Sequence, residues 1–407
     1  MSGALSHIRV LDLTRVLAGP WAAQMLGDLG AEVIKIERPG GGDDTRAWGP
    51  PFLTDDAGRT TGEAAYFQCA NRNKKSVTLD IAHPDGQRIV RDLAARSDVL
   101  LENFKVGGLA QYGLDAATLR AANPRLIYCS ITGFGQTGPY SARAGYDVLV
   151  QGMGGMMSLT GRPDEEPGGG PQKTGVALTD ILTGLYASSA ILAALLHRQT
   201  SGEGQTIDMA LLDVQVATLA NQAQSYLVTG EPPRRLGNAH PSIVPYQDFP
   251  TQDGYMILGA GNDGQFARLC AVLGHPDWAA DERFRSNAAR VANRETLLGL
   301  LRDVTRTRPT RDWVAALEAQ AVPCGPINTL REVFDDPQVR ARELAVHLRH
   351  PVGADLTVVA NPIRMSATPP TYRAAPPLLG QHTREVLGGL LGMPVAEIAR
   401  LAANGVT

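Results

Sequence analysis

Two hydrophobic periods alternate along the first third of the chain. Short apolar runs of strand length occur at "IRVLDLT", "AEVIKIERP", "KSVTLDI", "DVLLENF" and "RLIYCSITGFG". Between them, "GPWAAQMLGDLG", "PDGQRIVRDLAARS" and "DAATLRAANP" space their apolar residues as helices do, with Pro20 placed for a first helical turn. Repeated strand, helix, strand predicts parallel pairs joined by right-handed crossovers, hence an α/β domain on an open, mostly parallel sheet. No G-x-G-x-x-G follows the first strand and no G-x-x-x-x-G-K-[ST] occurs, so neither common phosphate-cradling fingerprint is present.

Further on, "GRPDEEPGGGPQ" reads as a loop that leads into the apolar segment "TGVALTDILTGLYASSAILAALLHRQT". Helical spacing of Ile181, Leu185, Ser188, Leu192, Leu195 and Leu196 gives that segment one apolar face. Its most apolar stretch, Ile181 to Leu196, is 16 residues long and interrupted by Thr183, Gly184, Ser188 and Ser189. A bilayer span needs roughly 20, so the segment reads as a buried helix and no membrane partner is expected. After Asn221 the pattern shifts to loops, a strand at "YMILGAG" and short helices. "LAVHLRHPVGADLTVVANPIRM" is strand-like again, and "HTREVLGGLLG" is a helix. The division expected is a large α/β domain over 1–225, a small domain over 226–335, and a segment 336–407 that returns to the large one.

Composition narrows the classes. The 407 residues are 43% hydrophobic and 19% charged with a net charge of −3, an ordinary globular balance without the basic excess of a nucleic-acid binder. Cys69, Cys129, Cys270 and Cys324 form no C-x-x-C pair, so neither a zinc site nor a disulfide framework is expected. A reducing cytoplasm fits, and "MSGALSHIRVLDLT" lacks the charge and apolar run of a signal peptide. The eight histidines make no H-E-x-x-H and accompany no G-x-S-x-G, which leaves metal and serine-hydrolase chemistry without support.

Asp180, at the mouth of the long apolar helix, is the first candidate for chemistry. The common use of an aspartate there is an N-cap; the alternative is a nucleophile, and either use predicts an ionised carboxylate favoured by the helix dipole. Asp147, Asp208 and Asp213 also sit among apolar residues, and spacing does not rank them. His240 lies in a loop, where polar side chains often serve function. Among cations, Arg38 closes a predicted strand at its C-terminal end, where open α/β sheets place ligands, while Arg46, Lys74 and Lys75 follow on predicted loops. Surface charge is the ordinary reading of each; together they would suit a phosphate-bearing ligand.

These segments in order resemble the class III CoA-transferase family, typified by formyl-CoA transferase and carnitine CoA-transferase. The resemblance rests on "VLDLTRVLAGPWAAQMLGDLGAEVIKIERPGGGDDTRAWGP", "NRNKKSVTLDI", "VLLENF", "GFGQTGPY", "GYDVLVQGMGGMMSLTG", "GVALTDILTGLYASSAILAALLHRQTSGEGQTIDMALLD" and "PPLLGQHT". It implies an open Rossmann-like domain plus a smaller α+β domain, an interlocked homodimer, no permanently bound cofactor, and coenzyme A thioesters with small carboxylic acids as substrates. It makes Asp180 the nucleophile and matches Val16, Arg38, Leu79, Asn103 and Phe104 to positions lining the CoA site, with Lys74 and Lys75 near the phosphates. The family also holds racemases of 2-methylacyl-CoA, whose acid–base histidine falls where this chain has Tyr146. A phenol, with an ordinary pKa near 10, is a poor substitute for imidazole, so an isomerase is the weaker alternative. "LGNAHPSIVPYQDF" and "VPCGPINTLREVFDDPQV" look most like the branch that joins succinyl-CoA to glutarate and related dicarboxylates, with malate, itaconate, mesaconate and aromatic succinates also admissible. On that reading Arg46, then His240, would hold the acceptor's second carboxylate, and Gly237, Asn238 and His240 would form a lid.

Overall fold

In the computed structural model residues 3–407 are described. The chain divides into two compact units, one comprising the chain to Met156 with Thr174–Gln224 and Gln338–Thr407, the other Met157–Lys173 with Ser225–Pro337. The segment 157–173, assigned to the large domain from the sequence, therefore clusters with the second unit.

The first unit carries β1 (Arg9–Asp12), β2 (Glu32–Glu37), a hairpin of β3 (Phe52–Thr54) and β4 (Thr60–Ala64), β5 (Lys74–Thr78), β6 (Val99–Glu102), β7 (Ile127–Thr132) and β8 (Thr206–Ala210). Six of these form one sheet in the order β5-β2-β1-β6-β7-β8, with every neighbour parallel. The expected open parallel sheet is present. The hairpin and β8 were not anticipated; "TIDMA" in β8 carries Asp208 and only a short alternation. The strand order reverses between β1 and β6, which opens a crevice at their C-terminal ends.

Up to residue 217 the helices are α1 (Ala18–Asp28), α2 (Ala65–Gln68), α3 (Pro84–Ala94), α4 (Ala116–Ala122), α5 (Asp147–Met153), α6 (Met156–Leu159, whose last three residues cluster with the second unit), α7 (Leu178–Ser201) and α8 (Leu211–Ala217), and two more, Thr383–Gly389 and Val395–Ala403, return to the first unit. Alternate side chains of each strand face opposite layers. Leu11, Ile34 and Val77 join Ile89, Val90 and Leu93 of α3 on one face, whereas Val10, Val33 and Val99 meet α1 and α7 on the other. Beyond an antiparallel pair, Ala345–His350 with Ala354–Val359, the chain runs extended along this unit. Asn73 Nδ2 donates to Thr371 O at 2.7 Å, and the Ser76 N–H donates to His382 Nδ1 at 3.2 Å. The second unit has a three-stranded antiparallel sheet, with Tyr255–Gly259 between Tyr246–Pro250 and Cys324–Pro326, and helices around a core of Phe249, Phe266 and Trp313.

Helix α7 corrects a reading of the pattern. It is long and apolar enough to cross a bilayer by length and composition, yet one face packs against α1 within this unit. The face turned inward carries Thr183, Gly184, Ala187, Ser188, Ile191 and Ala194, while Leu185, Tyr186, Leu192 and Leu196 are exposed. Size decides the orientation, because α1 approaches too closely for leucines. A Cβ on Gly184 would stand 2.7 Å from the Ala18 carbonyl oxygen, a backbone atom that moves only with α1 itself. Gly184→Ala is therefore expected to lower stability by about 1–3 kcal/mol in denaturant unfolding, overriding the ordinary helix preference for alanine. Ser189→Ala, on the exposed side, serves as the control and should stay within about 0.5 kcal/mol.

Candidate active site

The crevice at the strand-order reversal holds a cavity of about 270 Å³. Its walls come from the segment after β1 (Arg15 to Ala18), the segment after β6 (Asn103 to Val106), the loop before α5, and Asp180 in the first turn of α7. Val16, Asn103, Phe104, Tyr146 and Asp180 are thus brought to one cavity. A second cavity of about 170 Å³ gathers Arg38 and Leu79 and shares Arg15 and Phe104 with the first. Two glycines allow the loop before α5 to close on β7's end: a Cβ on Gly145 would lie 2.3 Å from the Gly133 Cα.

Asp180 is not the N-cap. The cap position is Ala177, and Asp180 lies one position beyond Thr179 within the helix. The capping role falls to Asp147, whose Oδ1 accepts the Asp180 N–H at 3.2 Å. Gln151, fully buried, fixes Asp147 by donating to its Oδ2 at 2.7 Å and accepts the Thr174 N–H at 3.0 Å. Asp180 is only 9% exposed. Burial first, and then the neighbouring Asp147 charge, push its carboxyl up to about 7. The expectation of a fully ionised carboxylate favoured by the helix dipole is thereby corrected, since desolvation and a like charge oppose the dipole and win.

Several residues at the site had not been singled out. Tyr66 of α2 has its phenol pushed up to about 12, by burial and then by the charge of Asp180, and its ring meets Trp48 edge-on at 5.2 Å. Arg15, Lys105 and Arg143 line the Asp180 cavity, with the Arg143 guanidinium over Phe134 and Tyr140 at 5.2 and 4.6 Å. The available signal was position: Arg15 and Lys105 follow predicted strands directly.

Other expected residues lie elsewhere. Arg46 is buried in a bidentate pair with Glu37, both bonds 2.8 Å, beside Glu63, and its guanidinium sits 3.7 Å from the Phe67 ring centre. Its donors are already engaged within the fold, which corrects the expectation that it holds a substrate carboxylate. Lys74 is not on a loop: it begins β5 with its ammonium fully buried against Asp12 at 3.0 Å, and burial pulls it down to about 8. Lys75 pairs with Glu32 and Glu385 and lines a separate cavity beside the start of β2. Neither lysine lines the two cavities just described, so their expected role at phosphates is not supported. Gly237, Asn238 and His240 belong to the second unit, where the His240 ring meets Tyr246 at 5.4 Å and its Nδ1 accepts the Ser242 N–H. Among the described residues, no cluster of acids, histidines and cysteines fit for a metal is found.

Residues 5–383 match the model of CoA-transferase family III. The chain belongs to this family. It is 56% identical over 386 residues to succinate--glutarate CoA-transferase of Agrobacterium fabrum, covering 95% of each chain. It is 46% identical to succinyl-CoA:glutarate CoA-transferase of Mus musculus, over 99% of this chain and 90% of that one. Among solved structures, a CAIB/BAIF family protein from Brucella suis superimposes with a TM-score of 0.85 at 49% identity, covering 96% of this chain and all (100%) of that one. Rv3272 from M. tuberculosis gives a TM-score of 0.82 at 33% identity, covering 94% and 98%. The protein is accordingly an enzyme of the transferase class.

The raised carboxyl of Asp180 has a measurable effect on stability. In the fold it keeps its proton up to about 7, whereas an ordinary aspartate releases it near 3.8. Between those values the folded state binds the extra proton, so stability falls as pH rises, by about 1.4 kcal/mol per unit. Asp180→Asn removes this penalty. The variant should melt above the parent at pH 8, and the gap should close as the pH is lowered toward 4.

Proposed function

We propose that this protein moves coenzyme A from succinyl-CoA to a free dicarboxylic acid such as glutarate, through a covalent thioester on Asp180. The observation that carries the reading is the Asp180 carboxyl itself, nearly buried in the wall of a cavity that Val16, Asn103 and Phe104 also line. The named activities of the Agrobacterium fabrum and Mus musculus relatives support the choice of donor and acceptor. Tyr146, in place of an imidazole, counts against the isomerase alternative.

In this scheme the Asp180 carboxylate attacks the thioester carbonyl and expels CoA thiolate, leaving a mixed anhydride. The thiolate then attacks the aspartyl carbonyl, succinate departs, and an aspartyl-CoA thioester remains. The acceptor carboxylate attacks this thioester and again releases CoA thiolate, which takes the new acyl group from the second anhydride and frees Asp180. Each bond broken is replaced by an acyl bond of similar kind, which is the advantage of covalent catalysis. A partly buried site also keeps water from the anhydrides. Arg15, Lys105 and Arg143 are the cations positioned to meet phosphates or a second carboxylate. Arg38 and Leu79 are assigned to the nucleotide end, and Gly237, Asn238 and His240 are retained as proposed substrate contacts of the second unit.

Leu185, Leu192 and Leu196 of α7 and Val148 and Leu149 of α5 are exposed apolar side chains, which supports a proposed homodimer. The four free thiols suit a reducing, cytoplasmic setting.

Incubation with succinyl-CoA and isotope-labelled glutarate should yield labelled glutaryl-CoA by mass spectrometry, and Asp180→Ala should yield none. Product from both proteins would remove Asp180 from its role; exchange of the α-hydrogen for solvent deuterium without acceptor would favour the isomerase. Because only the carboxylate attacks, the rate of enzyme-thioester formation should rise with pH and reach half its limit near 7. A flat profile from pH 5 to 9 in single-turnover measurements would show that the Asp180 carboxyl is not raised in the loaded site.

A further inference from the structure

Val16 has φ of +73°. A β-branched side chain in that left-handed region crowds its own backbone, so the conformation persists only where the surroundings enforce it. The enforcement is visible on both sides of the residue. The Val16 N–H donates to Asp43 Oδ1 at 3.2 Å, while the carbonyl of Thr14 accepts from Lys35 Nζ at 2.7 Å. Lys35 Nζ also lies 2.9 Å from Asp43 Oδ2, so one ion pair ties Thr14 to Val16. Asn103 brackets the residue between them, accepting the Arg15 N–H at 3.0 Å and donating to the Arg15 carbonyl at 2.8 Å.

The pair is deeply placed and firmly charged. Lys35 is 0% exposed and Asp43 1%. Burial works to raise the Asp43 carboxyl, but the Lys35 charge and the Thr45 N–H outweigh it and hold the group at about 2. Both carboxylate oxygens are in use: Oδ1 takes the Val16 and Thr45 N–H groups and the Thr45 hydroxyl, and Oδ2 faces the ammonium. Glu37 Oε2 accepts the Asp43 N–H at 3.0 Å, and Arg46 holds Glu37. Arg46, misread as a substrate contact, is thus an outer brace of the same assembly.

We propose that Asp43, braced by Lys35, is a positioning residue for CoA binding: it holds Val16 in its left-handed turn, so that the backbone from Arg15 to Ala18 stands as a preformed wall of the Asp180 cavity. The inference rests on the reading that this wall receives the CoA arm. An asparagine cannot replace the carboxylate, because its single oxygen serves either Val16 or Lys35 and its amide group then faces a donor.

Asp43→Asn, nearly isosteric, is the first variant to make, and Asp43→Ala the more severe one. Free coenzyme A binding by calorimetry, steady-state kinetics with succinyl-CoA, and amide exchange at Val16 are the readouts. The expected result for Asp43→Asn is about tenfold weaker CoA binding, a matching rise in KM for succinyl-CoA, a kcat within about threefold, an unchanged KM for the acceptor acid, and faster exchange at Val16. Adding Val16→Gly should recover much of the lost affinity, because glycine adopts this φ without a clamp. If Asp43→Asn binds CoA as the parent does, the positioning role is wrong. Loss spread equally over kcat and both KM values, with no recovery by Val16→Gly, would mark a merely structural residue and also overturn it. Failure of the unaltered protein to bind CoA would instead overturn the reading beneath the proposal.

Discussion

A lysine ammonium taken out of water must be surrounded by oxygens or lose its proton, and three adjacent strands of this fold are arranged to satisfy that demand. Asp12 of β1, Lys35 and Glu37 of β2, and Lys74 and Ser76 of β5 fall on the same face of the sheet by alternation and register. They turn what would be an apolar layer under α1 into a row of alternating charge. Such a row adds little net stability compared with packed hydrocarbon, but removing one member strands its neighbour at high cost. What it does accomplish is specification of the loops that leave those strands. The turn after β1 hangs from Lys35 and Asp43, and the loop after β2 folds back onto Glu37 through Arg46 and the Asp43 N–H.

The same crevice therefore contains two opposite solutions for a buried carboxylate. Asp43 faces a cation and several donors and is held at about 2; Asp180 is raised to about 7 by burial and by a second acid beside it. The contrast separates support from chemistry. A carboxylate locked to a lysine is a poor nucleophile, whereas one that burial has left unpaired attacks more readily once ionised. Asp147 contributes to both ends of this arrangement, as the acceptor that fixes the start of α7 and as the charge that disfavours ionisation beside it.

Much of this was legible from the chain, and the failures have physical causes. The strands and helices around the parallel sheet follow from two clean periods, and Asp180 was singled out through the family resemblance, the pattern alone favouring a cap. Lys74 and Arg46 were misplaced because a cation near a strand's end can point into water or into the protein, and one sequence does not say where its partners are. The period of two in "KSVTLDI", carried back one residue, held a partial clue, since Lys74 shares a face with Ser76 and not with Val77. Helix α7 was read by hydrophobicity when size was the deciding quantity: glycine, alanine, serine and threonine allow the close approach of α1, and Leu185, Leu192 and Leu196 are displaced outward while Leu195 stays buried. That Asp147, distant in sequence, should cap α7 lies beyond any local pattern.

Arg15 and Phe104 stand in the partition between the cavity at Asp180 and the cavity at Arg38. Both sides of that partition are built from strand ends, and one of them also reaches the first turn of α7. A carrier molecule has a handle common to all its forms and a cargo that differs, and under the proposed function the handle would rest on the strand ends and the cargo at α7. A change confined to α7 would then alter the acid accepted and leave the strand-end contacts to the carrier in place.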